Sequence, residues 1–317
     1  MKKNYLLGTA MAAVIAFGTG CSDEEIPGEN NSTGELQITA NIERTNSGVP
    51  TRSVVTDFSN STIGVYVDDA AGAYSPTTNS TASVSTGSNS VTPTPSVYIN
   101  ADATVYAWYP ATADELTNPT SSSTKNITVV SSDDFAAAGQ TDYLWATPVS
   151  VSKSNRTAAL TFQHALSKII FSITLGSNYA GTGSLTNITL TAANDSYYFQ
   201  TGSGTMAIAD GTVSGLTGTA TLAYTGMLSL STSAAEVDAL VAPATLAENT
   251  SSDSEITIAM TIDGSAYSTT LPVSSVSVWA AATVYTYNIT VNSGELTLGT
   301  VTITDWTAGS STDVTVS

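Results

Sequence analysis

The chain has one histidine, His164, and one cysteine, Cys21, so most routes to covalent or metal chemistry are closed to it. A nucleophilic triad needs a base beside its nucleophile, and a zinc site needs several His or Cys ligands; one of each completes neither. His164 sits inside the apolar run LTFQHALSKIIFSI, the setting of a structural residue on a strand. The acidic residues are scattered, as on a solvated surface, rather than set as the facing carboxylates of a glycosidase. Asp68-Asp69 and Asp133-Asp134 offer oxygen ligands but lack the spacing of a calcium loop. Two aromatic groups, Tyr106, Trp108 and Tyr109, and Trp279, Tyr285 and Tyr287, could stack on a sugar face, although aromatics at alternating strand positions more often serve core and edge packing. The residues call for no catalysis, metal or cofactor. A single cysteine also forbids an intrachain disulfide, so the Cys21 thiol has another role.

Its surroundings suggest which. Lys2 and Lys3 begin a short basic segment, Tyr5 to Phe17 is nearly all apolar, and Gly18, Thr19 and Gly20 lead into Cys21. That order is the n-region, h-region and small-residue cleavage site of a secretory signal, and the run is shorter than the roughly 20 apolar residues of a membrane span. Residues 1–20 are therefore expected to be removed. The position of Cys21 resembles the lipobox of bacterial lipoproteins, in which the cysteine receives diacylglycerol and becomes the new amino terminus; Gly18 stands where that pattern usually has Leu. Each buried methylene contributes about 0.8 kcal/mol, so two or three acyl chains would anchor the chain stably. The acidic cluster Asp23, Glu24 and Glu25 resembles the surface-export signal of Bacteroidetes lipoproteins, which implies a cell-surface, outer-membrane precursor. Residues 21–34, nearly free of apolar side chains, read as a flexible tether.

Twenty-six acidic residues face eight basic ones, and the pI is near 4.1. Phosphate binding needs clustered Lys and Arg, so nucleic acid is excluded as a partner. Only 11% of residues are charged; Ser and Thr supply the remaining polarity, as suits an exposed extracellular β-protein. Period-two alternation begins at Leu36, Ile38, Ala40 and Ile42 and returns over 62–67, 97–108, 127–130, 161–175, 185–190, 219–224, 256–262, 284–291 and 296–303. Asp263-Gly264 marks a hairpin between two such runs. Residues 131–139 and 232–240 could each form a turn or two of helix, and 71–96, rich in Ser, Thr, Gly and Pro, reads as a long surface loop or irregular edge. Many short strands at this spacing argue for sandwiches or barrels. The length argues for two of them, 53–156 and 157–317, divided within the polar stretch Ser150 to Arg156.

Three stretches resemble the fimbrillin family, the subunits of type V pili in Bacteroidales. TFQHALSKIIFSI (161–173) is similar to a mid-chain element of that family, WAAATVYTYNITV (279–291) to its Trp then Tyr-x-Tyr-x-Ile strand, and GELTLGTVTITDW (294–306) to its C-terminal ending. Ala282 departs from a frequent Gly. The resemblance implies an all-β fold of two tandem transthyretin-like, Greek-key β-sandwich domains. It also implies a lipidated precursor that an arginine-specific protease cuts after the first strand, opening a groove for a strand of the next subunit. Residues 35–52 then form the propeptide, with Leu36, Ile38, Ala40 and Ile42 on the displaced strand. The cut falls after Arg52, or alternatively Arg44, and Leu296, Leu298, Val301, Ile303, Val314 and Val316 supply the donor. The apolar parity changes at Gly299-Thr300, which calls for a turn or bulge there. Partners would be other pilus subunits, joined head to tail, and membrane lipid through Cys21 before cleavage. A host protein or glycan receptor would fit an adhesive, most simply stalk, subunit. The alternative is a surface lipoprotein that never polymerises and binds glycans through its aromatics.

Overall fold

The computed structural model describes residues 34–42, 55, 58, 61–68, 79–84, 89–112, 116, 120–135, 139–193, 198–246, 255–272, 276–306 and 311–314. The protein is all-β, and its order begins β1 (Gln37–Ile42), β2 (Thr62–Asp68), β3 (Asn79–Val84), β4 (Ser90–Thr94), β5 (Ala103–Tyr109), β6 (Thr124–Val129), β7 (Ser132–Asp134), β8 (Leu144–Ala146), β9 (Val149–Val151) and β10 (Thr157–His164). It continues with β11 (Ser167–Leu175), β12 (Ser184–Ala192), β13 (Phe199–Ala207), β14 (Val213–Ser214), β15 (Thr217–Thr219), β16 (Thr221–Ser229) and β17 (Ala235–Val241). The last elements are β18 (Ala244–Thr245), β19 (Glu255–Ile262), β20 (Ser265–Pro272), β21 (Val278–Trp279), β22 (Thr283–Val291), β23 (Leu296–Asp305) and β24 (Ser311–Val314).

Alternation decides which face of each strand is dry. In β10 every second residue from Ala158 to His164 is buried, and β19 repeats the pattern with Ile256, Ile258, Met260 and Ile262. The first sheet runs β2-β3-β4-β1-β10-β8-β5-β9, and a further β2–β5 pairing closes seven of these strands into a ring. Ile63, Val65, Val105, Leu144, Leu160 and Phe162 fill it. Two five-stranded sheets, β17-β11-β22-β23-β24 and β20-β19-β12-β16-β7, share a second core that includes Phe171, Ile188, Ile258, Trp279 and Tyr287. A third cluster joins the halves, with Tyr66 and Trp108 meeting Leu166, Ile170, Val284 and Trp306. The halves are also stitched through their sheets, since β6 pairs with β13 and β7 with β16.

Two close fits explain particular residues. A Cβ on Gly64 would lie 2.0 Å from the Trp108 ring, so β2 crosses this indole only with glycine at that place. Asp263 and Gly264, with φ of 50° and 76°, form the two-residue hairpin turn between β19 and β20 that their sequence predicts.

Several expectations are corrected. The run 161–175 is two strands, because the chain leaves the first sheet after His164, crosses at Ala165-Leu166 and enters the second core at Ser167. Both segments stay buried, so the apolar run is continuous although the strand is not. Residues 132–134 and 235–241 are strands rather than helical turns, β17 being drawn into the sheet by its ladder with β11. Within 71–96, β3 and β4 form a paired hairpin in the first sheet. In the polar stretch 150–156, Ser150 and Val151 belong to β9 and residues 152–156 connect it to β10, which packs in the first core.

Candidate functional site

β1 lies in a slot between β10 and β4. It runs parallel to β10 in continuous register from Gln37↔Thr157 to Ile42↔Phe162 and antiparallel to β4 at Ile38↔Val91 and Thr39↔Ser90. Three of the four side chains read as the displaced set point inward: Leu36, Ile38 and Ala40 are 2%, 2% and 3% exposed. Ile42 is half-buried against the same core. The backbone is held beyond the ladder as well, since the Leu36 N–H donates to the Val97 carbonyl, Gln37 to Arg156 and Ala40 to Asn89. Without β1 the ring would open along β10 and β4, leaving two unpaired ladders beside an apolar trough. Such an edge is a template for another strand.

The C-terminal strands are the second element. β23 pairs with β22 on one side and β24 on the other. Leu296 and Val301 are buried in the second core, while Leu298 and Ile303 pack half-buried against it. The parity change at Gly299-Thr300 is a β-bulge: these two residues lie opposite Asn288, whose side-chain N–H donates to the Thr300 carbonyl at 2.8 Å. Val314 stands opposite Val301 in the β24 ladder. Cys21, Arg44, Arg52 and Val316 lie outside the described residues.

A buried polar group sits where the chain crosses between cores. His164 Nδ1 is 3.0 Å from the Asp142 carboxylate, which also accepts the Val55 N–H at 2.9 Å. The imidazole stacks on the Trp306 indole, centroid to centroid 3.7 Å at 9°. Nearby, Lys168 Nζ is 3.7 Å from Asp238; burial holds the ammonium pKa below its usual range, and Asp238 opposes that shift. The His164 ring is thus held by the Asp142 carboxylate and by the Trp306 face. Asp142, Trp306 and Val55 carry no sequence signal as a group, because they lie far apart along the chain and share no motif.

Most of the aromatic residues weighed as a sugar platform are packing residues. Trp108, Trp279, Tyr285 and Tyr287 are buried, with the Trp279 Nε1–H donating to the Tyr287 hydroxyl. Tyr106 stacks on Tyr66 and Tyr109 lies against Phe58. The Asp133 carboxylate accepts the backbone N–H groups of Asp134 and Gln140.

These features define an all-β protein in which an early strand completes a sheet whose other strands come later in the chain. The fimbrillin-like family matches residues 51–306, and the chain belongs to that family. Its fold is similar to that of a candidate cell adhesion protein from Bacteroides uniformis, at 19% identity and a TM-score of 0.59, over 86% of this chain and 100% of that one. A second, from Bacteroides ovatus, is 18% identical with a TM-score of 0.58, over 89% and 98%. No curated protein matches the chain.

Proposed function

We propose that the chain is the precursor of a pilus subunit that assembles by strand exchange. In this reading residues 1–20 are removed, Cys21 carries the lipid that delivers the precursor to the cell surface, and an arginine-specific protease cuts after Arg52, with Arg44 the alternative. Lipid, tether and β1 leave together. A C-terminal segment of the next subunit, drawn from Leu296, Leu298, Val301, Ile303, Val314 and Val316, then fills the slot. The interface is head-to-tail, so it propagates as a filament instead of closing.

The observation that supports this reading is the slot itself, with an early strand buried between two later ones. The scarcity of other cleavable bases fits. Among the described basic residues, Lys125 and Lys168 are buried and the half-buried Arg156 gives its Nε–H to the Ile99 carbonyl at 3.0 Å; Lys153 is the exposed one. The test is treatment of purified precursor with an arginine-specific protease. A new N-terminus at Ser53 together with SDS-resistant ladders is the expected result. A chain that stays monomeric after complete cutting at Arg52 would overturn it.

A further inference from the structure

The ring of the first sheet carries a cavity that neither the β1 slot nor the C-terminal strands use. It lies where three strands end: Asp68 closes β2, Asp102 and Thr104 stand at the start of β5, Ser150 lies in β9, and Ser152 and Asn155 belong to the tight connection that follows. Its volume is about 410 Å³, and its mouth is open to solvent. The ladders decide which side chains meet there. Asp68 stands opposite Thr104, and Thr104 has Ser150 opposite it on the other side, so the three share one row on one face of the sheet. Period-two alternation puts Asp102 and Ser152 on that face in the next row.

Among the described residues, no hydrogen bond or ion pair reaches the Asp68 or Asp102 carboxylate or the Thr104 or Ser150 hydroxyl. Ser152 and Asn155 are instead set by their own turn. The Ser152 hydroxyl oxygen accepts the Asn155 N–H at 3.2 Å, and the Asn155 side-chain oxygen accepts the Thr157 N–H at 3.4 Å, which leaves the Asn155 NH2 group as a donor. The cavity thus presents two anionic acceptors, two hydroxyls that give or take a hydrogen bond, and an amide donor, most of them spaced by strand ladders.

Adjacent hydroxyls on a sugar ring match this set, because each donates to a carboxylate while accepting from a hydroxyl or an amide. We propose that the cavity binds the terminal ring of a neutral glycan chain. The two carboxylates face no cation among the lining residues, so uronic acids, sialic acids and phosphates are repelled, and the formal net charge of −18 adds to that repulsion. Nor do three carboxylate, imidazole or thiol groups converge among the described residues, as a metal site would need. The volume lies at the small end of the roughly 300–1,000 Å³ of ligand pockets, which suits a mono- or disaccharide end. Half-buried Tyr106 follows Thr104 on the same face and stacks on Tyr66; burial, and after it the Asp68 carboxylate, raises its phenol pKa. It gives a second ring an apolar neighbour. None of these residues belongs to β1 or to the C-terminal strands, so the site is independent of strand exchange.

Amide NMR on uncut precursor carrying Cys21→Ser, which needs no detergent, tests this. The probes are the methyl glycosides of glucose, galactose, mannose and N-acetylglucosamine, with methyl glucuronide as the anionic control, all in EDTA. At least one neutral glycoside is expected to shift the amides of residues 68, 102–104 and 150–155 saturably, and the glucuronide is not. Asp102→Ala should weaken that binding about ten- to hundredfold, the loss of one hydrogen bond to a charged group. Asp68→Asn, which keeps the side chain's shape, should weaken it in the same direction if Asp102→Ala disturbs the strand end. No saturable shift at these amides with any neutral glycoside overturns the site, as do equal binding of the glucuronide or unchanged affinity in both folded variants. Tighter binding of the free reducing sugar than of its methyl glycoside overturns the assignment to a chain end.

Discussion

Replacing Ile38 by Ala isolates the contribution of the first strand, because this side chain belongs to β1 alone and is 2% exposed inside the ring. Ile→Ala at a closed site costs about 2–5 kcal/mol, transfer and cavity terms together. Val91 and Ala158 flank Ile38 on the neighbouring strands, and both are themselves buried, which limits relaxation into the gap. A cost of about 3 kcal/mol is therefore reasonable. In intact precursor this should appear as a loss of unfolding free energy of that size in a denaturant titration. After cutting at Arg52 the same side chain helps only to retain the cleaved peptide. The peptide should then leave more readily by about a hundredfold, since each 1.4 kcal/mol is a factor of ten. Mass spectrometry of the retained peptide, with gel ladders alongside, reads both: the peptide should be lost earlier and ladders should begin sooner. A variant with unchanged stability and unchanged peptide retention would refute the assignment of β1 as a removable part of the core.

Three further outcomes are expected. Gly64→Ala should destabilise the protein by about 1–3 kcal/mol in thermal or denaturant unfolding, because its Cβ must displace the buried Trp108 indole. Asp238→Asn should cost about 3 kcal/mol by leaving the buried Lys168 ammonium without its nearest carboxylate, whereas Lys168→Met should be close to neutral in the same titration. The Asp263 carboxyl is held well below its usual pKa, first by the Thr182 hydroxyl and then by the Ser184 N–H, the Tyr179 hydroxyl and the Gly183 N–H. A depressed folded-state pKa contributes stability that is complete above the ordinary carboxylate range, near about pH 4, and is lost as pH falls below it. The melting temperature of Asp263→Asn should accordingly fall less than that of the natural chain as the pH is lowered from neutral; parallel curves would contradict this.

What the sequence discloses here is local. Strict alternation in Leu36 to Ile42, the Asp263-Gly264 pair and the parity change at Gly299-Thr300 each describe a strand, a turn or a bulge whose cause lies within a few residues, and each is found. The crossing at Ala165-Leu166 has no such cue. His-Ala-Leu-Ser-Lys passes between two buried environments without Gly or Pro, so one apolar run covers two strands. β17, in the segment AAEVDALV, has residues suited to a helix, and its ladder with β11 decides otherwise. Closure of the ring depends on β2 meeting β5, and the Asp142, His164 and Trp306 group on three distant positions. Pairings at such separations leave no periodic trace in a single chain.

The most direct test of the slot is competition for it. A synthetic peptide of residues 34–42 reproduces β1 without its lipid, tether or connection to the body. Added in excess while the precursor is cut at Arg52, it should bind one to one with the cut chain and suppress the ladders in proportion to its concentration, and the same peptide carrying Ile38→Asp should do neither. Ladders that form unhindered at saturating peptide would mean that subunits join somewhere other than the place β1 occupies.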